Sequence, residues 1–432
     1  MRGRGDHTHS SKFSNMQMKT QIVIGIGFGD EGKGVTTDML AEGLYSFPKG
    51  YKPTLSPALV VRFSGGHQAG HTVWKKRDGK LPYTHVFAQI GSGALSGADT
   101  FYSRYCTFYP LAFAREYDSI MGFANDFKPK VIIDKLAPVT TPFDVAYNRV
   151  TEIINRHGSC GVGFAATVER HQTCKFYAQD LSMDGIVAAR MSTVEEYYRT
   201  LCARKDIEWH LMEEHLDEFR FDEFYAAVDK INNYENVSFD DEGVVMFYER
   251  VIFEGSQGVM LDMDWGFFPN VTRSNTTSKN AMEIIKRNGL PMPEVFYVTR
   301  AYSTRHGNGP MTNNQAVPFV REIVEETNKT NDWQGNLRTG LLDMELLRYA
   351  IQCDNNFTAT CPKTLVMTCL DQVSSIKMVN RSLMTVEEID TVKSLLRSLE
   401  MSETTKVLGG FSPFSADIKT VTESIGLARQ AV

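Results

Sequence analysis

Residues 22–38, IVIGIGFGDEGKGVTTD, restrict the fold more than any other part of the chain. The stretch begins with an apolar run typical of a buried β-strand, passes through a glycine-rich turn and ends in a helical pattern. The turn matches the phosphate-binding pattern G-x-x-x-x-G-K-[ST] up to its last position, where Gly34 replaces the hydroxyl residue. Backbone N–H groups of such a turn, followed by a helix N-terminus, form an anion site. The stretch therefore predicts an α/β fold with a P-loop-like nucleotide site.

The turn also carries charged side chains with separate expected roles. Lys33 supplies a positive charge for a transferred phosphoryl group, and Gly29 and Gly32 let the backbone approach the phosphates. Because Gly34 has no side chain to ligate magnesium, a nearby carboxylate must do so if a metal binds. Asp30 is the natural candidate.

Short apolar runs alternate with helical patterns along the whole chain. The predicted strands are 21–27, 58–63, 129–134, 250–254, 294–300, 364–370 and 405–408, and the predicted helices are 35–44, 143–154, 282–287, 341–351 and 386–399. This alternation is typical of a large, mostly parallel central sheet with helices on both faces. Since no linker or repeat interrupts it, we expect a single domain over 21–432 with small inserted subdomains. These include a charged helical insertion near 193–241, and residues 1–20 are expected to be a flexible leader or tag.

The composition is that of a globular protein in a reducing compartment. Hydrophobic residues make up 42% of the chain, and no apolar run reaches the roughly 20 residues of a membrane span. A net charge of −6 argues against a broad nucleic-acid-binding surface. The seven cysteines are scattered without a C-x-x-C pair, which predicts neither a disulfide framework nor a zinc ribbon. We therefore expect a cytoplasmic protein without nucleic-acid or membrane partners.

Three more glycine-rich turns lie near predicted strand ends: SGGHQAGHT at 64–72, GSCGVG at 158–163 and EGSQG at 254–258. Four such turns suggest ligands lying across the carboxyl edge of the sheet. In the second turn His67 and His71 are four residues apart, but the glycines between them disfavour a helical metal pair. One of these histidines is instead a candidate catalytic acid facing a phosphate.

Six ordered motifs resemble those of the adenylosuccinate synthetases, a family of enzymes that join L-aspartate to inosine monophosphate (IMP) using GTP. The motifs are GDEGKG at 29–34, GGHxAGHT at 65–72, FEGxQG at 253–258, VTxSNTT at 271–277, AYSTRxGxGP at 301–310 and RTGxLD at 338–343. The resemblance extends from about residue 21 to residue 415. It implies a large, mostly parallel sheet surrounded by helices and small subdomains, a bound Mg²⁺ ion and a homodimer.

The resemblance also implies catalytic roles. In the family, the aspartate that matches Asp30 removes the purine N1 proton and contacts magnesium. The histidine that matches His71 is the acid that assists transfer of the γ-phosphoryl group to O6, while Lys33 offsets charge on that group. The backbone carbonyl of Gly70 helps to hold the metal. Gln257, which matches a residue that holds the purine nucleotide, is counted among the catalytic residues.

A set of nucleotide-binding residues follows from the same resemblance. Asp371 matches the acid that accepts hydrogen bonds from guanine, which favours GTP as the phosphoryl donor. Arg338 matches the last arginine of the family's basic loop, and Arg305 lies in a motif that lines the active site. The other implied nucleotide-binding positions are Gly29, Glu31, Gly32, Gly34, Gln68, Thr72, Ser159, Cys160 and Thr272.

Several positions depart from the family pattern around the monophosphate and the amino acid. Cys160 and Val162 replace the threonine and arginine of GTTGRG, Gln68 replaces the asparagine of GGHNAGHT, and Cys369 replaces a lysine. The basic loop at 333–340 keeps only Arg338, and the candidates to replace its lost arginines are Arg170, Lys175 and Arg273. These changes partly resemble a viral branch of the family, the 2-aminoadenylosuccinate synthetases, which use dGMP and often ATP.

The leading hypothesis is a ligase that acts on IMP, L-aspartate and GTP, because Asp30 and Asp371 are both retained. The first alternative is a 2-aminoadenylosuccinate synthetase that uses dGMP and aspartate with ATP or GTP. The second is a catalytically silent nucleotide-binding regulator. The third is a P-loop phosphotransferase or GTPase, against which the missing hydroxyl residue after Lys33 counts.

Overall fold

The computed structural model describes residues 18–43, 57–77, 79–123, 128–155, 158–183, 185–216, 221–323, 333 and 336–425. Its strands, in chain order, are β1 Lys19–Gly25, β2 Leu59–Arg62, β3 His71–Arg77, β4 Lys80–Phe87, β5 Asp99–Tyr102, β6 Val131–Asp134, β7 Val237–Asp240, β8 Arg250–Gly258, β9 Glu294–Arg300, β10 Ser303–Arg305, β11 Arg338–Gly340, β12 Leu342–Asp343, β13 Lys363–Thr368, β14 Ile376–Asn380, β15 Thr385–Ile389, β16 Lys406–Gly410 and β17 Ile418–Val421. Its α-helices are α1 Lys33–Ala41, α2 Pro110–Phe123, α3 Pro142–Asn155, α4 Phe164–His171, α5 Ile186–Arg204, α6 Trp209–Leu216, α7 Phe221–Asn233, α8 Lys279–Arg287, α9 Met344–Thr358 and α10 Val392–Ser398.

A ten-stranded sheet forms the centre of the molecule, in the order β17-β16-β13-β9-β1-β8-β2-β5-β6-β7. Every neighbouring pair is parallel except β16 and β17. Because the strands are parallel, the segments that follow β1, β2, β8, β9 and β13 all leave the same carboxyl edge. In open α/β sheets this edge is where ligands bind.

Helices cover both faces of this sheet, as the alternation of strands and helices predicts. Along β1, Ile22 and Ile24 belong to one apolar cluster, which also takes in residues of α8, α9 and α10. Val23, between them, belongs to a second cluster with Met39 and Leu40 of α1. This period of two places successive side chains on opposite faces, so both faces of β1 are buried.

A third apolar cluster joins one end of the sheet to a group of helices. It contains Val131 and Ile133 of β6 together with side chains of α2, α3, α5, α6 and α7. The segment expected as a helical insertion near 193–241 lies here, and its helical part begins earlier, at Ile186. Its last residues are not helical, because Val237–Asp240 form β7 and pair with β6 at the edge of the central sheet.

All of the predicted strands appear in the structure. The prediction of 294–300 matches β9 at both ends, the others are shifted at one or both ends, and β8 continues to Gly258. The prediction of one helix over 386–399 is wrong, because Thr385–Ile389 form β15 and only Val392–Ser398 are helical. The strands β5 and β7 were not predicted from the sequence. In the part of the chain that the structure describes, no helix has both the length and the apolar character needed to cross a membrane.

Candidate active site

The turn after β1 has the backbone shape of a phosphate-binding loop. Gly29, Asp30 and Gly32 have φ values of 106°, 62° and 99°, and α1 begins directly after Gly32. A Cβ atom on Gly32 would approach Cγ2 of Thr368 to 2.8 Å, so the left-handed backbone and the close neighbour both require glycine. Thr368 Oγ1 also donates a hydrogen bond to the carbonyl oxygen of Glu31 over 2.7 Å. The turn is therefore tied to the end of β13.

The carboxylate of Glu31 fills the inner side of this turn. Its Oε1 accepts hydrogen bonds from the N–H groups of Gly27 at 3.0 Å and Gly29 at 2.8 Å. Its Oε2 forms an ion pair with Nζ of Lys33 at 2.7 Å, and both side chains are almost fully buried. Of the two acidic residues in the turn, Glu31 is the one that binds the turn's own amides. Lys33 points inward to it.

His71, the first residue of β3, lies against the start of α1. A Cβ atom on Gly34 would come within 2.9 Å of Cβ of His71, so there is no room for the hydroxyl residue of the usual phosphate-binding pattern. Nδ1 of His71 lies 2.7 Å from Oε1 of Glu254. Glu254 also accepts hydrogen bonds from the backbone N–H of Ser92 at 3.0 Å and from the Ser92 hydroxyl, and Arg62 lies 3.6 Å from its Oε2.

The charge on Glu254 fixes how His71 is presented. Burial raises the pKa of Glu254, but the nearby His71 and Arg62, with hydrogen bonds from His71 and Ser92, outweigh burial and hold this pKa at about 2. Burial lowers the pKa of His71 despite the attraction of Glu254. The ionised Glu254 accepts a hydrogen bond from Nδ1–H of His71, which leaves Nε2 for a ligand. This is the arrangement expected of an imidazole that exchanges a proton with a substrate.

A pocket lies beside these groups at the carboxyl edge of the sheet. It encloses about 680 Å³ of space, its open mouth included. Among its lining residues are six of the predicted nucleotide or purine contacts: Gln68, Ser159, Cys160, Gln257, Thr272 and Arg305. Other residues that line the pocket were not predicted as contacts, among them Asn148, Asn270, His306 and Asn308.

The pocket contains buried polar atoms that need a ligand. Both side-chain amide atoms of Gln68, Oε1 of Gln257 and Nε of Arg305 are buried and have no hydrogen-bond partner among the described residues. Buried polar atoms without partners cost about 1–3 kcal/mol each, so native structures rarely keep them. Four such atoms on three residues of one pocket indicate that a polar molecule completes it.

The turn at 158–163 forms one wall of the pocket and is held by α3. Asn148 donates to Oγ of Ser159 at 3.0 Å and accepts from the N–H of Gly163 at 3.0 Å. Glu152 accepts from the backbone N–H groups of Gly158 and Ser159. Burial, followed by the charge of Asp30, raises the pKa of Cys160 to about 12. The effect of Asp30 on this thiol places the predicted general base near the same wall.

Two predicted arginines, Arg305 and Arg338, are paired across the β10–β11 ladder. Arg305 is buried, stacks on Phe28 at 4.3 Å and donates to the carbonyl oxygens of Pro310 and Asn270. Arg338 donates to the carbonyl oxygens of Gly307 and Gly309. Burial and the charge of Arg338 lower the pKa of Arg305 to about 10. Two neighbouring guanidinium groups bound to carbonyl oxygens form a site suited to an anion.

Asp371, the predicted guanine contact, lies outside the lining of this pocket. It follows β13 and forms an ion pair with Arg321 at 3.1 Å. Since Thr368 contacts both Gly32 and Glu31, the start of the segment that carries Asp371 borders the phosphate-binding turn on another side. The predicted phosphoryl-donor contact and the predicted acceptor contacts are therefore on separate segments around one turn.

The candidates to replace the lost arginines differ in position. Arg170 is wrong as a ligand contact, because it is fully buried and its guanidinium binds Asp144 at 2.8 Å and the carbonyl oxygens of Cys174 and Val139. Lys175 is exposed, and it is not among the lining residues of the pocket. Arg273 lines the pocket and forms an ion pair with Glu169 at 2.9 Å. Gln334 and Gly335 of the altered basic loop lie outside the described residues.

The residues suit magnesium only in company with a ligand. Among the described residues, no group of three or more His, Cys, Asp or Glu side chains is placed to hold a metal ion. Magnesium is commonly bound by one or two protein oxygens together with substrate phosphates and water. The carboxylate of Asp30 and the carbonyl of Gly70, which is exposed beside His71, are oxygen donors of this kind. Thr72 follows His71 in β3 and is half-buried.

The sequence analysis named the motif around Glu254 but gave this residue no role, and it did not mention Arg62. A carboxylate at the end of a buried strand, next to glycine turns, was the available signal for Glu254. No local signal marked Arg62, because its partner Glu254 lies far along the chain. Asn148 was not marked either, because its partners belong to an irregular turn that follows α3.

Comparisons with known proteins identify the family to which the chain is similar. The family model for adenylosuccinate synthetase matches residues 22–432. The adenylosuccinate synthetase of Azobacteroides pseudotrichonymphae genomovar. CFP2 is 27% identical over 371 residues, which cover 83% of this chain and 81% of the relative. That of Thermoplasma acidophilum is 26% identical over 394 residues, which cover 89% and 84%.

Two solved structures have similar folds. The fully ligated adenylosuccinate synthetase of Plasmodium falciparum gives a TM-score of 0.66 at 17% identity, and the match covers 93% of this chain and 99% of that one. The succinoaminodeoxyadenylate synthetase of cyanophage S-2L, bound to dGMP and dATP as an energy donor, gives 0.58 at 14% identity and covers 94% and 95%. At these identities the likeness concerns the fold. Since the family model spans nearly all of the chain, this protein belongs to the adenylosuccinate synthetase family of ligases.

Proposed function

We propose that this chain joins L-aspartate to IMP, with GTP as the phosphoryl donor, and releases adenylosuccinate, GDP and phosphate. The observation that carries the proposal is the pocket with its unpartnered amides. Gln68 and Gln257 present buried donors and acceptors, and an oxopurine base has complementary groups along its edges. The phosphate-binding turn and His71 lie beside these amides at the same edge of the sheet.

In the proposed first step, Asp30 takes the proton from N1 of the purine, and the electron pair of the broken N–H bond moves toward O6. O6 then attacks the γ-phosphorus of GTP, an O6–P bond forms and GDP leaves. His71 acts as the acid in its doubly protonated form, which the negative charge of the bound triphosphate favours. Its Nδ1–H donates to Glu254, which fixes the orientation of the ring, and the proton on Nε2 goes to the phosphoryl transfer. Lys33 offsets negative charge on the transferred group.

In the second step the neutral amine of aspartate attacks C6 and a C–N bond forms. The C6–O6 bond breaks, phosphate leaves with O6, and the departing phosphate takes up the proton that the amine loses. Arg305 is suited to a carboxylate or phosphate of the substrates, since it lines the pocket and its Nε has no hydrogen-bond partner in the described part of the chain. Arg338 is paired with it across the β10–β11 ladder and adds a second positive charge. Asp30 and Gly70 would hold magnesium, which supplies positive charge against the triphosphate.

A second candidate acceptor, dGMP, is favoured by three residues of the pocket wall. Gln68, Cys160 and Val162 all line the pocket, and these are positions where the chain departs from the family pattern. The fold is also similar to that of the cyanophage protein solved with dGMP and dATP. The retention of Asp30 and Asp371 favours IMP and GTP.

The deciding experiment measures aspartate-dependent phosphate release with IMP or dGMP, each with GTP or ATP. We expect the highest kcat/KM with IMP and GTP, and the product mass of adenylosuccinate. A preference for dGMP would replace the lead by the second candidate. Nucleotide binding without turnover would indicate a regulator, and hydrolysis that needs neither acceptor nor aspartate would indicate a simple phosphotransferase.

Asp30→Asn is the matched variant for this assay. It keeps the side-chain size and removes the base, so kcat should fall by about 10²- to 10⁴-fold while the circular dichroism spectrum stays unchanged. Near-normal turnover in this variant would contradict the role of Asp30.

Two further properties belong to the same proposal, the first implied by the family resemblance and the second expected from the composition and the scattered cysteines. The chain acts as a homodimer, which light scattering of the purified protein tests. It works in the cytoplasm, and no disulfide joins any of its seven cysteines, all of which lie among the described residues.

A further inference from the structure

Glu31 has contacts that differ from those expected of a nucleotide-binding residue. Its carboxylate faces the inside of the turn, where it accepts from the amides of Gly27 and Gly29 and pairs with Lys33. The side chain is 4% exposed, and each of its two oxygens already has a partner. A carboxylate in this position would also repel a phosphate that tried to use the same amides.

The surrounding backbone makes room for this one carboxylate. A Cβ atom on Gly25 or on Gly258 would collide with the carboxylate oxygens of Glu31. These glycines lie at the carboxyl ends of β1 and β8, which are neighbours in the central sheet. Because Gly25 and Gly258 have no side chains, the carboxylate of Glu31 fits beneath the turn.

Lys33 is paired with Glu31 and also acts electrostatically on His71, one of the proposed reacting groups. Its ammonium group is 2.7 Å from Oε2 of Glu31, and its charge acts on the ring of His71. The next residue, Gly34, packs directly against Cβ of His71. An ammonium has three N–H donors, and Glu31 takes one of them. A buried ion pair is strongly destabilised when one partner is removed, so Glu31 also holds the ammonium of Lys33 at this place.

From these contacts we propose that Glu31 is a positioning residue, which shapes the turn from within and holds the ammonium of Lys33 for the transferred phosphoryl group. Glu31 itself does not contact the nucleotide. The proposal rests on the proposed phosphoryl transfer, and it assigns Glu31 an effect on the rate of that step rather than on binding of the acceptor.

Glu31→Gln separates the two tasks of the side chain. The glutamine oxygen still accepts from the amides of Gly27 and Gly29, but its NH₂ group cannot accept from Lys33. We expect kcat for aspartate-dependent phosphate release to fall by about 10- to 100-fold, with KM for the acceptor changed by less than about threefold. Glu345→Gln is the control, because Glu345 also accepts from two backbone N–H groups, those of Arg381 and Ser382, far from any lysine of the site.

A double-mutant cycle with Lys33→Gln tests whether Glu31 acts through Lys33. If it does, Glu31→Gln should lower kcat no further once Lys33 is replaced, because coupled residues are not additive. If the loss of kcat in the double variant equals the product of the losses in the two single variants, the proposal is overturned. So would a raised KM for the acceptor at unchanged kcat, which is the result expected of a nucleotide contact.

A second measurement does not depend on turnover. Amine labelling of the folded protein with acetic anhydride, read by mass spectrometry, should leave Lys33 protected in the wild type and in Glu345→Gln. In Glu31→Gln the labelling of Lys33 should rise several-fold, since the ammonium has lost its buried partner. Equal labelling in all three proteins would refute the proposal that Glu31 holds Lys33, even if no substrate pair supports catalysis. Raised labelling of Glu31→Gln without any turnover would support that proposal and contradict only the proposed reaction.

Discussion

Single residues of the site take their meaning from contacts with distant parts of the chain. Gly34 stands where a phosphate-binding loop usually has a hydroxyl residue, and His71 occupies the space that such a side chain would need. His71 in turn is fixed by Glu254 from β8 and is influenced by Arg62 from β2. The missing hydroxyl is therefore part of the arrangement that brings an imidazole to the phosphate-binding turn.

Gly34→Ser tests this reading at the residue scale. The new Cβ atom would lie 2.9 Å from Cβ of His71, so the ring must move away from Glu254 or α1 must shift. We expect kcat to fall at least about tenfold, because small displacements of a catalytic group are costly. Gly122→Ser in α2 is the control, since a Cβ atom there meets nothing within 4 Å. If Gly34→Ser were as active as the wild type or more active, the loop would work as an ordinary phosphate-binding loop.

At the scale of elements, the junction of α3 and α4 shapes one wall of the pocket. Asn148 and Glu152 on α3 bind the backbone of the turn at 158–163, and Gly163 ends that turn with a φ of 83°. α4 begins at the next residue. The wall is therefore held in place by α3. The pocket residues Ser159 and Cys160 lie in the turn between α3 and Gly163, and α3 binds the backbone at both ends of this turn.

Gly163→Ala should separate backbone strain from close packing at this junction. A Cβ atom on Gly163 would lie 2.8 Å from the backbone nitrogen of Val145, in addition to the strain of a left-handed residue. We expect a loss of about 2–4 kcal/mol in the free energy of unfolding, measured by denaturant titration. Gly185→Ala is the matched control, because Gly185 precedes α5 with a φ of 75° and has open space around it.

This control should cost only about 1 kcal/mol, the usual penalty for a left-handed residue with a side chain. Equal losses in the two variants would show that the contact between Gly163 and α3 adds nothing to stability.

The elements that the sequence predicted are those with a long or uniform apolar pattern. β1, β9 and β13 are buried on both faces, so their sequences are continuous apolar runs that need no knowledge of neighbours. β15 was misread as helix because only Ile389 of Thr385–Ile389 is buried, and its stability comes from pairing with β14. β7 is likewise short and half-exposed at the sheet edge, where pairing with β6 decides its conformation.

At the scale of the whole molecule, the pocket lies between two parts of the apolar core. One wall follows α3, whose Val145 and Val150 pack in the cluster of the helical side. The other wall includes Gln257, near the end of β8, and Leu261, which comes shortly after β8 and packs against the central apolar cluster. The sequence could predict that the glycine turns meet at one edge, because parallel strands end together. It could not predict which polar atoms remain unpartnered there. That depends on which side chains find partners elsewhere in the folded chain, as Arg170 and Arg62 do.

A ligand that fills this pocket should stabilise both sides together. At a free IMP concentration one hundred times Kd, the free energy of unfolding should rise by about 2.7 kcal/mol, provided that only the folded chain binds. Hydrogen exchange should then slow in peptides from 144–164 and from 257–308, because the ligand satisfies atoms contributed by both walls. The same measurement with dGMP ranks the two acceptors by binding alone.

Gln68→Leu provides the comparison for this experiment, since it removes unpartnered amide atoms from the pocket with little change in size. Leucine leaves no buried polar atom to satisfy, so the free variant should be at least as stable as the wild type, while IMP should protect it less. Protection confined to one wall in the wild type would mean that the ligand binds to one side only, and the pocket between the two core regions would then not be the acceptor site.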